Sequence, residues 1–191
     1  MPKLGAEPIR RAALVKAAIA TIGQAGSLDV TVAQIARKAG MSSALAHHYF
    51  GSKDQIFLAA MRQILADYAG SVRARLAQVQ APAERLDAII TGSFAPDNFH
   101  DEVISAWLNF YAMAQVSPDA ARLLRVYRRR LRSNLLSALR PLTGDRAEGI
   151  AATTGALIDG VYLRAALSDL PADPDRAAGS VRRYLDGILK K

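Results

Sequence analysis

Hydrophobic residues along this chain recur at the spacing of α-helices, and no stretch alternates between apolar and polar positions as a β-strand would. Leu14, Ala18 and Ile22 show the spacing in the first such stretch, which Gly23 and Gly26 are predicted to end. Proline, glycine or short polar segments interrupt the later stretches. The pattern predicts an all-α protein of about nine helices, with approximate bounds 8–23, 31–39, 42–50, 52–80, 82–94, 99–115, 117–140, 143–167 and 173–189.

The second and third predicted helices form a short pair joined at a glycine. Thr31 and Gln34 have the spacing of a capping box, which fixes the start of the second helix. Gly40 can adopt the positive φ that ends this helix, and Ser42 can cap the next one. Two short helices joined by a turn that contains glycine are typical of a helix-turn-helix motif. An ordinary surface pair in a helical bundle is the alternative.

The third helix is predicted to bury Leu45 and Phe50 and to expose short or flat side chains. Groups of this kind can form hydrogen bonds with base edges or pack on a thymine methyl group in a major groove. The exposed set is Ser43, Ala44, His47, His48 and Tyr49. We therefore expect the Ser42–Phe50 helix to read DNA if the pair is a helix-turn-helix.

Basic side chains are concentrated in the first 53 residues. This segment holds seven of them against two acidic ones, Glu7 and Asp29, and the whole chain has a formal net charge of +8 and a pI of about 10.1. An excess of positive charge around a helix-turn-helix favours a polyanionic partner, here double-stranded DNA. The residues expected to contact phosphates are Arg10, Arg11, Thr31, Tyr49 and Lys53.

The segment ahead of the first helix, Met1–Glu7, is predicted to be a short polar arm, and a frayed terminus is the alternative. Arg10 and Arg11 lie in the first turn, from which they could reach phosphates or a minor groove. Ser52 and Gln55 repeat the capping-box spacing and begin a long helix that leaves the basic segment. This long helix is the expected mechanical link between the two parts of the chain.

Composition excludes several classes of function. The chain has no cysteine, so it forms no disulfide and uses no thiolate chemistry. No apolar run reaches the roughly 18 residues of a membrane span, and the N-terminus lacks a signal peptide's apolar region. Three histidines do not form a metal set, and no nucleophile elbow, phosphate loop or carboxylate pair is present. We expect a soluble cytoplasmic protein without catalytic activity, cofactor or metal.

Three aromatic rings are predicted to share one face of the helix near position 110. Trp107, Phe110, Tyr111 and Ala114 follow the i, i+3, i+4, i+7 spacing, and Trp107 is the only tryptophan. Rings at helical spacing are more often part of a core than of a pocket.

Asp159 is the one acidic residue in the apolar stretch ALIDGVYLRAAL, where it shares a helix face with Tyr162. A buried carboxylate must be paired or hydrogen-bonded, and either an arginine or a ligand can do this. Rings and one carboxylate together suit a quaternary ammonium ion, which binds through cation–π contacts and a counter-charge. The expected lining residues are Trp107, Phe110, Tyr111, Asp159 and Tyr162, with Phe94 and Tyr127 as weaker candidates.

Two further patterns lie on the seventh and eighth predicted helices. Arginines at 122, 125, 128, 129, 130 and 132 flank an apolar stripe, so most of them should form a solvated face rather than a second nucleic-acid site, although some could bridge to a second subunit or pair with Asp159. Ala152, Ala156 and Gly160 form a small-residue stripe that permits close helix approach. The stripe fits either a two-fold interface between subunits or packing within one chain.

The run AQIARKAGMSSALAHHYFGSKDQI resembles the DNA-binding head of the TetR family of repressors. The runs MPKLGAEPIRR, AWLNFYA and ALIDGVYLRAALS are similar to those of its choline-sensing members, which control glycine betaine synthesis genes under osmotic stress. The resemblance implies a homodimer that meets through its last two helices, operator DNA as partner and choline as effector, with betaine aldehyde not distinguished. It also implies a DNA-binding domain over 1–53 and an effector-binding and dimerisation domain over 54–191. One position departs from the family, since His47 stands where many members carry tyrosine.

Two rival functions remain open at this point. A repressor of the same fold could control an efflux or other operon and sense a different cationic or hydrophobic ligand. A helical ligand-binding or scaffold protein would have no DNA role and would not need the basic head.

Overall fold

The computed structural model of the chain describes residues 6–190 and contains α-helices joined by short loops. The all-α prediction is confirmed, and no strand occurs within 6–190. The helices are α1 Ala6–Ala25, α2 Val32–Lys38, α3 Ser43–Phe50, α4 Lys53–Leu76, α5 Pro82–Ser93, α6 Asp101–Met113, α7 Pro118–Thr143, α8 Ala147–Ala166 and α9 Pro174–Leu189, with a 3₁₀ turn at Gly144–Arg146 between α7 and α8.

Local capping signals fix most helix starts. Thr31 and Gln34 form the complete capping box, and Ser42 accepts a hydrogen bond from the Leu45 amide at 3.2 Å. Gly40 has φ of +69°. The two short helices and their turn therefore have the predicted bounds to within one residue.

Several predicted helix ends were wrong. α4 ends at Leu76 rather than near 80, and α7 continues through Pro141 to Thr143. Pro141 lacks only the N–H that would bond the carbonyl of Ser137, an exposed residue. The Thr143 hydroxyl donates to the Leu139 carbonyl in the last turn of the helix at 3.0 Å. The predicted polar arm lies outside the described residues up to position 5, and Ala6 and Glu7 already belong to α1.

Gly23 does not end α1, as the sequence suggested, but lies inside it at the contact with α6. A Cβ atom at this position would lie 2.4 Å from the Glu102 Cα, which is closer than packed atoms approach. Gly26, with φ of +67°, follows the end of the helix instead. The missing side chain of Gly23 lets α1 pack directly against α6.

The three N-terminal helices pack together, and α1 and α4 connect them to the remaining helices. One continuous core of buried residues runs through both parts. In α3 the core contact comes from Ala46, which is fully buried, whereas Leu45 is only half-buried and Phe50 packs at the edge of the core. The prediction that Leu45 and Phe50 supply the apolar contacts of α3 was wrong for Leu45, because the small side chain of Ala46 permits the closer approach.

Candidate DNA-binding and ligand-binding sites

The outward face of α3 consists of small and flat side chains. Ala44, His47 and His48 are exposed, and Ser43 and Tyr49 are half-buried. The His47 Nδ1 lies 3.0 Å from the Gly51 carbonyl oxygen. A carbonyl only accepts, so Nδ1 carries the proton and Nε2 of the neutral ring is left as an acceptor.

Arg10 and Arg11 have different surroundings. Arg10 is exposed, whereas the Arg11 guanidinium lies 5.5 Å from the ring centre of Tyr49 and 5.2 Å from that of Phe50. Arg11 Nε also donates to Glu7 Oε1 at 2.8 Å. Arg11 therefore holds α3 against α1 by cation–π contacts, and Arg10 is the one of the two whose charge is fully available to a partner.

The other predicted phosphate contacts are partly engaged within the chain. Lys53 Nζ donates to the Leu28 carbonyl at 2.9 Å, and the Thr31 hydroxyl caps α2. Lys53 keeps two further N–H groups, since an ammonium has three donors. The side chains of Lys53 and Thr31 therefore stabilise the helix-turn-helix itself, in addition to any contact with DNA.

In the remaining helices, Asp159 on α8 collects polar partners from two other helices. Its Oδ1 accepts from the Tyr111 hydroxyl of α6 at 3.1 Å and from the Tyr127 hydroxyl of α7 at 3.5 Å. Its Oδ2 lies 3.4 Å from Arg128 Nη2, also on α7. The carboxylate therefore sits where three helices converge.

Aromatic rings surround this point. The Trp107 ring centre lies 4.8 Å from that of Tyr127, 5.6 Å from Tyr111 and 5.8 Å from Tyr162. Tyr162 in turn stacks on Phe94 at 5.7 Å. The structure brings together the aromatic residues that the sequence placed on four separate helices.

Burial raises the pKa values of the ionisable groups in this cluster. Removal from water raises the pKa of Asp159 above its ordinary value, while Arg128 and the Tyr111 hydroxyl oppose the rise. Burial also raises the pKa of Tyr111 and Tyr127 well above the ordinary value of tyrosine, and that of Tyr68 to about 12. The tyrosines are therefore hydrogen-bond donors over the physiological pH range.

A cavity of about 460 Å³ opens beside the carboxylate. Its wall includes Asp159, Tyr111, Arg128, Leu124 and Leu163. It offers one carboxylate, one aromatic ring and apolar surface to a small molecule.

Three predicted lining residues lie behind this wall. Phe110 is fully buried against Trp107, and the Tyr162 hydroxyl is 2.6 Å from the Ser93 carbonyl oxygen, to which it donates. Trp107 itself is 3% exposed and reaches the cavity only through Tyr111. No local feature of the sequence favours Tyr127 over the other aromatic residues, or Arg128 over the other α7 arginines, as a partner of Asp159.

Two family models match the chain. Residues 14–60 match the model described as bacterial regulatory proteins of the tetR family, and residues 82–190 match the BetI-type transcriptional repressor C-terminal model. The chain belongs to the TetR family. Its C-terminal part is of the BetI type, which agrees with the resemblance found in the sequence.

Curated TetR-family relatives are similar over nearly the whole chain. The HTH-type transcriptional regulator BetI of Brucella anthropi is 53% identical over 189 residues, which cover 98% of this chain and 96% of the relative. BetI of Agrobacterium fabrum is 49% identical over 191 residues, covering 100% and 93%. These relatives are transcription regulators and not enzymes. The prediction of a TetR-family DNA-binding repressor is thereby confirmed.

Solved structures share the TetR fold at low identity. A transcriptional regulator from Saccharomonospora viridis in complex with choline superposes with a TM-score of 0.80 at 21% identity, covering 92% of this chain and 95% of that one. A transcriptional regulator from Rhodococcus sp. Rha1 gives a TM-score of 0.82 at 23% identity, covering 94% and 96%. At this identity the likeness establishes the fold alone.

Two features are absent from residues 6–190. No helix in that part of the chain combines the length and apolarity needed to cross a membrane. Nor do its histidine and acidic side chains form a group that could hold a metal ion.

Proposed function

We propose that this TetR-family repressor binds operator DNA as a homodimer and releases it when a trimethylammonium compound, choline in the first instance, binds beside Asp159. The observation that carries the ligand assignment is the carboxylate held by two tyrosine hydroxyls within a cluster of aromatic rings. A quaternary ammonium ion cannot donate a hydrogen bond, so it needs an aromatic face and one counter-charge, which Tyr111 and Asp159 offer at the cavity wall. Residues 1–53 form the DNA-binding domain of this proposal, and 54–191 the effector-binding and dimerisation domain.

The DNA contacts follow from the exposed face of α3. The helix that Ser42 caps enters a major groove, with Ser43, Ala44, His47 and His48 toward base edges. Because His47 Nε2 is an acceptor, it suits the exocyclic amino group of adenine or cytosine. Arg10, the free donors of Lys53, and the Tyr49 hydroxyl hold phosphates. Thr31 and Arg11 keep the helices in place beside them.

The subunit contact is assigned to α8 and α9. Ala152 and Ala156 are exposed on α8, and a Cβ at Gly160 would have no atom within 4 Å. Such a surface lets a helix of a second subunit approach closely. When two subunits meet through it with two-fold symmetry, their two heads lie on successive half-sites of the operator. Half-site spacing is then set by the dimer.

Two sets of helix contacts connect the ligand site to the DNA-binding head. α6 carries Tyr111 of the site and packs against α1 through the contact of Glu102 with Gly23. α4, which begins at Lys53, packs against both α1 and α7. A ligand that changes how α7 packs against α8 and α6 therefore changes how the heads are held. It shifts DNA binding only by its different affinity for the DNA-bound and free states, and operator must weaken ligand binding by the same factor.

The test begins with operator fragments selected from random duplex DNA by the purified chain. Choline is then titrated into the complex, and DNA affinity is measured at constant salt. We expect choline to weaken operator binding by about tenfold or more, equivalent to about 1.4 kcal/mol. 3,3-Dimethylbutan-1-ol, which has choline's shape without its charge, should have no effect. Undiminished operator affinity at saturating choline overturns the proposal, and release by bulkier cations alone favours a different effector.

A matched pair of variants locates the site. Asp159→Asn removes the carboxylate that accepts from Tyr111, whereas Asp169→Asn removes the same charge from an exposed loop position. The first variant should lose the choline response while keeping operator affinity. The second should behave as the parent chain does.

A further inference from the structure

Asp159 has a cationic partner within the chain. Arg128 Nη2 lies 3.4 Å from Oδ2, while the two tyrosine hydroxyls occupy Oδ1. The pair therefore presents little net charge to a second cation, although the same carboxylate is the proposed counter-charge of the ligand. A cation that enters the cavity must either share the carboxylate with Arg128 or displace it.

The two members of the pair differ in their access to water. The Arg128 side chain is 58% exposed, whereas that of Asp159 is 21% exposed. A guanidinium that is already largely hydrated can rotate outward at small cost, but the carboxylate cannot follow it. Arg128 also lines the cavity, so its outward rotation frees both space and charge at the same point.

Other arginines of α7 pair with a different carboxylate, so Arg128 is the cation that pairs with Asp159. Arg132 and Arg140 of the same helix both pair with Glu148 of α8. Within residues 6–190, no other carboxylate lies within 4 Å of Arg128, and no other basic side chain lies within 4 Å of Asp159.

We propose that Arg128 is a resident counter-cation that competes with the ligand for Asp159 and so sets the ligand concentration at which the repressor responds. The inference rests on the proposed ligand site and specifies its regulation. Ligand binding exchanges one cation at Oδ2 for another and leaves the tyrosine bonds to Oδ1 in place. Since Arg128 belongs to α7 and Asp159 to α8, the exchange also removes an ion pair between these two helices.

Competition predicts a gain of affinity when the arginine is removed. If Arg128 merely lined or supported the site, its removal would lower the affinity for choline. Choline affinity is therefore measured by calorimetry on the full chain for the parent and three variants. Arg128→Gln removes the charge, Arg128→Lys keeps it, and Arg129→Gln removes a charge from the adjacent exposed position, which has no carboxylate within 4 Å in the described part of the chain.

We expect Arg128→Gln to lower the Kd for choline by about threefold to fivefold, the upper part of the range for an exposed ion pair that no longer competes. Arg128→Lys should stay within about twofold of the parent, because an ammonium at this place also pairs with the carboxylate. Arg129→Gln should also stay within about twofold, because a solvated charge at that distance is screened.

Each outcome decides the question. Tighter binding by Arg128→Gln alone supports the competition, and so does choline binding that appears only in this variant. If Arg128→Gln binds choline with the same affinity as the parent, or more weakly, the competition is overturned and the proposed ligand site is unaffected. Absence of choline binding in every variant overturns the ligand site, and the competition with it.

Discussion

The Tyr111 hydroxyl donates to Asp159 Oδ1 at 3.1 Å and thereby joins α6 to α8. Tyr111→Phe keeps the ring that faces the cavity but removes this donor. We expect the free energy of unfolding to fall by about 1 kcal/mol, the net contribution of one such bond, as measured by urea denaturation. Tyr184→Phe is the control, because its hydroxyl has no hydrogen-bond partner within residues 6–190. Equal losses in the two variants contradict the assigned bond.

The second prediction concerns the pH dependence of choline binding. Only the ionised carboxylate attracts the cation, and burial raises the pKa of Asp159 above its ordinary value. Affinity should therefore be constant at high pH and fall as the pH drops through that raised pKa, by up to about tenfold per pH unit. The decline begins at a higher pH than it would for an exposed aspartate. Calorimetric titrations across the pH range measure it, and any residual binding by Asp159→Asn should show no such decline.

The third prediction concerns stability without ligand. A carboxyl group whose pKa is raised by folding favours the native state when protonated, and this contribution is lost as pH rises through the raised pKa. Asp159→Asn is neutral at every pH and still accepts from Tyr111. We expect the variant to have the higher Tm at pH 7, with the difference shrinking as the pH is lowered toward the ordinary pKa of aspartate. A variant that melts lower at pH 7 shows that the pairing with Arg128 outweighs desolvation.

The helix starts that have a side-chain cap could be predicted from the sequence, because each depends on a few consecutive residues. Thr31, Ser42 and Ser117 act through amides three positions ahead, and the structure contains all three bonds. The starts of α6 and α8, which have no such cap, were predicted two and four residues too early. The choice of Arg128 over its neighbouring arginines as partner of Asp159 depends on how α7 rotates against α8. Nothing local in either helix encodes that rotation.

Gly23 illustrates the same limit. In the sequence it looks like a helix terminator, because glycine has that role at Gly40 and Gly26. Its actual role requires knowing that Glu102 lies 79 positions further along the chain and against it. Likewise, the aromatic residues near the ligand site could be predicted from the residue types on each helix. That Tyr111 lies between Trp107 and the cavity depends on how the helices pack, which the sequence alone does not show.

The fourth prediction separates the two arginines at the start of α1. Arg10 is exposed, so Arg10→Ala should reduce the slope of log affinity for DNA against log salt by about 0.9 for each lost phosphate contact, with sequence preference unchanged. Arg125→Ala, an exposed arginine on α7, should leave the slope unaltered. Fluorescence anisotropy at several salt concentrations measures both. An unchanged slope for Arg10→Ala removes Arg10 from the DNA interface.

The last prediction tests the contact between α1 and α6. Gly23→Ala places a methyl group 2.4 Å from the Glu102 Cα, a backbone atom that cannot rotate away, so the two helices must separate. We expect a loss of about 1–3 kcal/mol in the free energy of unfolding from this overpacking. Gly70→Ala is the matched control: a Cβ at this position in α4 meets no atom within 4 Å, and alanine should add about 0.5–1 kcal/mol by helix propensity. If α6 also transmits the ligand signal to the head, Gly23→Ala should alter operator affinity or its response to choline, whereas Gly70→Ala should alter neither. Similar stability for the two variants would show that α1 and α6 are not in close contact at Gly23.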